Sequence, residues 1–229
     1  MPSDKYFDVL KKVVAAQNGE IADQLKNGGM QYRIIYGLSL IDLRNIASKF
    51  YPDMELADDL WKKDVREFKV LSLLIDDPDK IDAERALSRA NDFTNIELAE
   101  QAGGYLFPKL RKEVIHLLVP QLLTHENEYA KCSGYILIGS LVKNKMEIED
   151  EVLANYLENA INDAPNASLP LARSISAALR LVGRKNLFLN NKASEVLSEI
   201  IQTGTKLAQW LEEDVQFELD FYKERFNKK

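Results

Sequence analysis

Residues that build disulfides and metal sites are scarce in this 229-residue sequence. It contains one cysteine, Cys132, and two histidines, His116 and His125. One cysteine cannot form an internal disulfide, and these three residues cannot supply a zinc site of the Cys₄, Cys₂His₂ or His₃ kind. We therefore expect neither a metal nor a cofactor.

Long apolar runs are also missing. No stretch of about 18 apolar residues is present that could span a bilayer. The first five residues, Met1 to Lys5, do not lead into the apolar segment of a secretory signal. With only 10 glycines and 7 prolines, the chain does not have the composition of a linker or a disordered segment. We expect a globular protein of the cytoplasm, without a membrane partner.

Apolar residues recur at helical spacing, and we find no run with the strict alternation of a half-buried strand. Leu110, Val114 and Leu118 illustrate the pattern, since steps of three and four residues place side chains on one helical face. Ser39 and Asp53 stand just before such segments, where a short polar side chain caps a helix. The sequence therefore predicts an all-α protein.

The predicted helices form pairs joined by short turns. Two corresponding helical cores begin at Tyr135 and Ile175, and this separation is close to the repeat length of HEAT and armadillo helix pairs. We predict an α-α superhelix of HEAT-like repeats, a single domain over residues 1–229 with a capping helix over 205–229. Stacked pairs create a concave surface, where we expect the function to lie. An irregular helical bundle is the alternative.

Charge is unevenly distributed in this acidic chain, which has 30 basic and 36 acidic residues. Residues 146–165 contain acids and no base, whereas residues 166–194 contain bases and no acid. Arg173, Arg180 and Arg184 are spaced to share one helical face, which we expect to lie beside the helix that carries Lys131. Such a ridge could hold phosphates, although a solvated helix face would show the same pattern. The predicted DNA-binding residues are Lys131, Lys143, Lys145, Arg173, Arg180, Arg184 and Lys185.

Three segments resemble the N-terminal part of the DNA alkylation repair family. They are Tyr36 to Ala47, Leu56 to Trp61 and Arg66 to Lys69, and the resemblance is strongest over residues 31–184. It implies HEAT-like repeats, DNA held in the concave groove, and hydrolysis of the N-glycosidic bond of cationic alkylated purines. By the same resemblance, a carboxylate would stabilise the sugar cation. Aromatic faces would hold the cationic base, and an arginine would grip phosphate.

The sequence departs from the family pattern at the residues that would carry this chemistry. Glu100 is at the position of a family aspartate and is the candidate catalytic residue. Ile96 and Ala177 are at positions of aromatic residues, and Cys132 is at the position of an arginine. These substitutions predict that excision of alkylated purines is weak or absent.

Two functions from different classes remain. The first is a DNA-binding protein, grasping duplex or branched DNA, that resembles the alkylation-repair glycosylases. The second is a protein–protein interaction scaffold of HEAT-like repeats, in keeping with the acidic composition. Retention on DNA at low salt would separate the two.

Overall fold

A computed structural model describes residues 3–228, and within this range the chain is all-α. The predicted fold class is therefore confirmed. Thirteen α-helices lie within these residues, and the pairing of Ile34 with Val65 is an isolated β-bridge. None of the helices in this range combines the length and the apolar character needed to cross a bilayer.

The described chain divides into two compact units. Unit 1 contains the described residues up to Asp82 together with Lys109–Arg111, and unit 2 contains Ala83–Pro108 and the described residues from Lys112 onward. The helices of unit 1 are α1 (Asp4–Ala15), α2 (Gly19–Asn27), α3 (Leu40–Ala47), α4 (Met54–Trp61) and α5 (Arg66–Ile75). A single domain over residues 1–229 stays a prediction.

Unit 2 is the larger unit. Its helices are α6 (Ala83–Asn91), α7 (Ile96–Gln101), α8 (Lys112–Leu123), α9 (Glu128–Lys143), α10 (Asp150–Asp163), α11 (Leu169–Gly183), α12 (Leu187–Gln202) and α13 (Lys206–Asn227). A π-helical turn, Ala102–Leu106, follows α7. Short 3₁₀ turns occupy Pro78–Lys80, Phe107–Lys109 and Ala164–Asn166.

Short polar side chains start the helices where the sequence places them. The Ser39 hydroxyl accepts the backbone N–H of Asp42 at 3.2 Å, and Asp53 accepts that of Leu56 at 3.0 Å. Each bond satisfies one of the N–H groups that the first turn of a helix leaves without a partner. The helix starts predicted at these two residues are therefore confirmed.

A buried carboxylate organises the loop before α3 in unit 1. Glu67, fully buried on α5, accepts backbone N–H groups from Tyr36 at 3.0 Å, Gly37 at 2.9 Å and Leu38 at 3.3 Å. The guanidinium of Arg66 lies 2.9 Å from the same carboxylate. The Tyr-Gly-Leu and Arg-Glu residues that carry the family resemblance thus bond to one another and stabilise the fold.

In unit 2, α9 packs against α7, α8 and α11, and α11 packs in turn against α12 and α13. Gly183 allows α13 to approach α11 closely, because a Cβ atom there would lie 2.3 Å from Leu219 Cδ2. Val215 and Leu219 of α13 are buried, whereas Lys229, the last residue of the predicted capping helix, lies outside the described residues. Helix α11 therefore has α9 and α13 among its neighbours. The acidic side chains of these neighbours determine which cations of α11 have an ion-pair partner.

Candidate nucleic-acid interface

A cavity of about 340 Å³ lies among α7, α9 and α11 of unit 2. Ile96, Glu100 and Ala177, three positions singled out by the family resemblance, all contribute to its wall. The full lining is Ile96, Glu100, Ile136, Pro170, Arg173, Ser174 and Ala177. The cavity is therefore the candidate site, and the roles of its residues stay predictions.

The cavity wall combines aliphatic side chains with one acid and one base. Ile96, Ile136 and Ala177 give it an apolar surface, and none of the described residues that line it is aromatic. Cation–π attraction requires an aromatic face within about 6 Å of the cation. The wall can therefore pack against an uncharged ring, but it offers no aromatic face to a cationic base.

Glu100 supplies the carboxyl group of the cavity. Its position follows from α7, which begins at Asn95, whose side chain accepts the backbone N–H of Leu98 at 3.2 Å. Loss of solvent around the carboxyl raises the pKa of Glu100, and the nearby charge of Glu97 raises it further. Both effects favour the neutral acid, so the group is a poorer anion than an ordinary glutamate.

Cys132 lies behind the cavity wall. The side chain is fully buried, and it is in hydrogen-bond contact with Ser174 of the wall. Burial raises the pKa of the Cys132 thiol to about 12, because the apolar surroundings disfavour the thiolate. The thiol therefore stays neutral and can neither grip a phosphate nor act as a nucleophile.

Two of the predicted DNA-binding lysines pair with carboxylates of unit 2. The Lys131 ammonium lies 2.5 Å from Asp163, which also accepts the Tyr135 hydroxyl at 2.8 Å. The Lys185 ammonium lies 2.6 Å from Asp150. The acidic segment 146–165 thus neutralises part of the cationic set.

Two of the predicted arginines pair with α13. Arg180 lies 3.7 Å from Asp214 and 4.0 Å from Glu218, and Arg184 also contacts Glu218. Asp214 and Glu218 were not among the residues predicted from the sequence. Their spacing of four residues was a usable signal, because it places both carboxylates on one face of a helix.

The remaining three predicted cations, Lys143, Lys145 and Arg173, are exposed. Within residues 3–228 they make no side-chain hydrogen bond or ion pair. Arg173 lines the cavity. Lys143 follows Ile136 by seven residues, two turns or about 10 Å along the same face of α9. These three exposed cations are available to an anionic ligand.

The described residues do not support a metal site. No group of three or more His, Cys, Asp or Glu side chains in residues 3–228 is arranged to hold a metal ion. The expectation that the protein needs neither a metal nor a cofactor stays a prediction.

Similarity to a solved structure shows that the chain has a HEAT-like repeat fold. That structure represents a family of proteins described as related to the HEAT-like repeat DNA glycosylases, with affinity for branched DNA structures. The two chains are 14% identical, with a TM-score of 0.70 over 85% of this chain and 83% of the other. The predicted HEAT-like fold is therefore confirmed.

The sequence itself shows the family. The model of the family described as "DNA alkylation repair enzyme" matches residues 9–193, and the chain belongs to this family. The match extends beyond the predicted segment 31–184 at both ends and stops before α13. No curated protein matches the chain.

Proposed function

We propose that this chain binds DNA, including branched DNA, and excises alkylated purines weakly or not at all. The observation that carries the proposal is the cavity, where Glu100 and Arg173 meet a wall without an aromatic residue. Membership of the DNA alkylation repair family supports a DNA ligand, and so does the affinity of the structurally similar protein for branched DNA. The cytoplasmic location expected from the sequence is part of this proposal.

The unpaired cations support phosphate binding despite the acidic composition of the whole chain. Arg173 would contact the phosphate next to a nucleotide at the cavity, and Lys143 and Lys145 would contact phosphates further along the strand. Charged hydrogen bonds to phosphate are stronger than neutral ones, and each such contact releases condensed counterions from DNA. For phosphate binding, the positive charge of these three side chains therefore matters more than the net charge of −6 of the whole chain.

Two features oppose efficient excision. With Ile96 and Ala177 at aromatic positions of the family pattern, the site lacks cation–π contacts of about 0.5–2 kcal/mol each. With the neutral Cys132 at the arginine position and the neighbouring Lys131 paired to Asp163, a phosphate grip is also missing there. A cationic purine would be held weakly and without the positioning that catalysis requires.

DNA binding is tested by measuring the affinity for a four-way junction and for a linear duplex over a range of salt concentrations. Replacing Arg173, Lys143 and Lys145 together by Gln should weaken binding and reduce the slope of log affinity against log salt by about 2.7. The matched control replaces three exposed cations of α13. These are Lys206, Lys223 and Arg225.

The control should leave the slope almost unchanged, because Lys206, Lys223 and Arg225 are not among the proposed phosphate contacts. Equal losses in the two triple variants would contradict the proposed contacts. A wild-type protein that does not bind DNA even at low salt would refute the proposed function.

Excision is tested by base release from methylated DNA, with Glu100→Gln as the comparison. We expect both proteins to release base close to the background rate. Rapid release by the wild type that Glu100→Gln abolishes would overturn the second part of the proposal and identify Glu100 as catalytic.

The second candidate function, a protein-interaction scaffold, is favoured by two exposed aromatic residues of α13. Phe217 is 81% exposed and Phe221 is 53% exposed, one turn further along the helix. Exposed apolar groups of this kind occur at protein interfaces. The scaffold would gain support from the absence of DNA binding at low salt.

A further inference from the structure

We propose that α13 carries an internal competitor for DNA. Its residues Asp214 and Glu218 occupy Arg180 and Arg184 and so keep these arginines of α11 from binding phosphate. The inference rests on the proposed DNA-binding function and deepens it, because it identifies residues that limit affinity and not only residues that provide it.

One stripe of α13 faces the arginines. Asp214, Glu218 and Tyr222 follow one another at intervals of four residues, which places them on a single helical face. The two carboxylates pair with the arginines as described above, and the Tyr222 ring centroid lies 5.8 Å from the Arg184 guanidinium. This competitor stripe, Asp214–Glu218–Tyr222, offers anionic oxygens and an aromatic face, which are the groups that a nucleic acid also offers to arginine.

The stripe is fixed in position by contacts that do not involve the arginines. The Ser176 hydroxyl of α11 donates to Asp214 at 2.5 Å. Val215 and Leu219 are buried beside the stripe, with Leu219 against Gly183. The carboxylates therefore stay close to the arginines whether or not DNA is present, and they act as a permanent local competitor.

The ion pairs are accessible enough to be exchanged. The side chains of Arg180 and Arg184 are 32% and 40% exposed, and that of Glu218 is 20% exposed. Solvent screens ion pairs at this exposure, so each pair is weak. In addition, the buried Nε of Arg180 has no hydrogen-bond partner within residues 3–228. The arginines can therefore turn to a phosphate once the carboxylates are neutralised, without loss of the helix packing.

The stripe also lies outside the segment that defines the family. The family match ends at residue 193, whereas α13 covers Lys206–Asn227. The arginines fall inside the matched segment and their acidic partners fall beyond it. The competitor is thus supplied by a part of the chain that the family pattern does not include.

The experiment compares two double variants of α13 for affinity to four-way junction DNA. Asp214→Asn with Glu218→Gln removes both charges and keeps an amide oxygen for Ser176 and the arginines. The matched control, Glu212→Gln with Glu213→Gln, removes two exposed charges of the same helix that make no ion pair in the described chain.

Releasing two arginines should add two phosphate contacts. We expect the Asp214/Glu218 variant to bind about tenfold more tightly at low salt, with a slope of log affinity against log salt steeper by about 1.8. The control variant should change affinity less and leave the slope unaltered. Adding Arg180→Gln and Arg184→Gln to the first variant should abolish the gain.

Three outcomes would overturn the inference while DNA binding itself stands. They are an affinity no greater than that of the control, an unchanged slope, and a gain that persists without the arginines. Failure of the wild type and every variant to bind DNA would instead refute the proposed function. If the double variant melts at a lower temperature than the wild type, the single variant Glu218→Gln provides the test, because Glu218 contacts both arginines. An affinity for DNA equal to that of the wild type would then contradict the competitor.

Discussion

The backbone N–H of Gly37 donates to the carboxylate of Glu67 at 2.9 Å, across thirty residues of sequence. Because Tyr36 and Leu38 donate to the same carboxylate, three consecutive N–H groups converge on one buried side chain. Arg66 balances its charge and also donates to the Leu38 carbonyl at 2.8 Å. The path of the chain into α3 therefore depends on a single carboxyl group.

Replacing Glu67 by Gln should destabilise unit 1 by about 3 kcal/mol, because it breaks the buried ion pair between Glu67 and Arg66. The amide would also turn an N–H₂ group towards backbone donors. Urea denaturation followed by circular dichroism measures the loss. The control is Glu20→Gln, an exposed glutamate of α2, for which we expect a change of less than about 0.5 kcal/mol. Equal stability of the two variants would contradict the structural role of Glu67.

Gly37→Ala should lower the free energy of unfolding more than an ordinary substitution at a positive φ angle does. Gly37 has φ of 77°, and a Cβ atom there would lie 2.1 Å from the Asn18 carbonyl oxygen. Gly29→Ala is the matched control, since Gly29 has φ of 89° but an added Cβ atom there would meet no atom within 4 Å. We expect a loss of about 1 kcal/mol for Gly29→Ala, from backbone strain alone. Gly37→Ala should lose at least about 2 kcal/mol more; similar melting curves would show that the loop can move aside.

The helices could be predicted from the sequence because their signals are local. Ser39 and Asp53 cap the helices that they precede, and the apolar spacing that includes Val114 and Leu118 reflects burial along α8. The partnership of Gly37 with Glu67 is different. A Tyr-Gly-Leu and an Arg-Glu segment can be recognised as a family pattern, but only the tertiary structure shows that the two segments bond to each other.

Cys132 should resist alkylation in the native protein. With a pKa of about 12, only about one thiol in 10⁴ is ionised at pH 8, and the thiolate is the reactive form. The pKa is raised, so the ionised fraction grows as the pH rises towards 12. Iodoacetamide labelling followed by mass spectrometry should therefore show almost no reaction at pH 8 and complete reaction in urea.

The control for this measurement is a second thiol at an exposed position of the same unit. Asn144→Cys places it just after α9, where the residue is exposed. We expect this thiol to react in the native state at the rate of a free cysteine. Rapid native labelling of Cys132 itself would show that the wall of the cavity opens.

Gly183→Ala should loosen the contact between α11 and α13. The added methyl group would lie 2.3 Å from Leu219 Cδ2, so the helices must separate or Leu219 must change rotamer. We expect a destabilisation of about 1–3 kcal/mol, the usual cost of overpacking. Gly104→Ala in the same unit is the control, because its methyl group would meet Ile136 Cγ2 at an ordinary 3.8 Å. A thermal melt of the two variants distinguishes them, and coincident curves would contradict the close packing.

Only part of the candidate site could be predicted from the sequence. Comparison with the family pattern singled out Ile96, Glu100 and Ala177, which the structure brings into one cavity. The sequence did not reveal in the same way which cations are paired with carboxylates. Helical spacing groups Arg180 with Arg184, but it does not reveal that α13 lies across them, because the register between neighbouring helices depends on packing. The acidic block before residue 166 was a clue that bases such as Lys185 have partners nearby.

The single thiol of the chain, that of Cys132, is fully buried. Any cysteine introduced on the surface would be the single site of labelling, without prior removal of the natural one. Fluorophore pairs attached to one engineered thiol and to a DNA end could then report distances for each unit in turn. Surface labelling of this protein could therefore test the proposed path of a nucleic acid by spectroscopy.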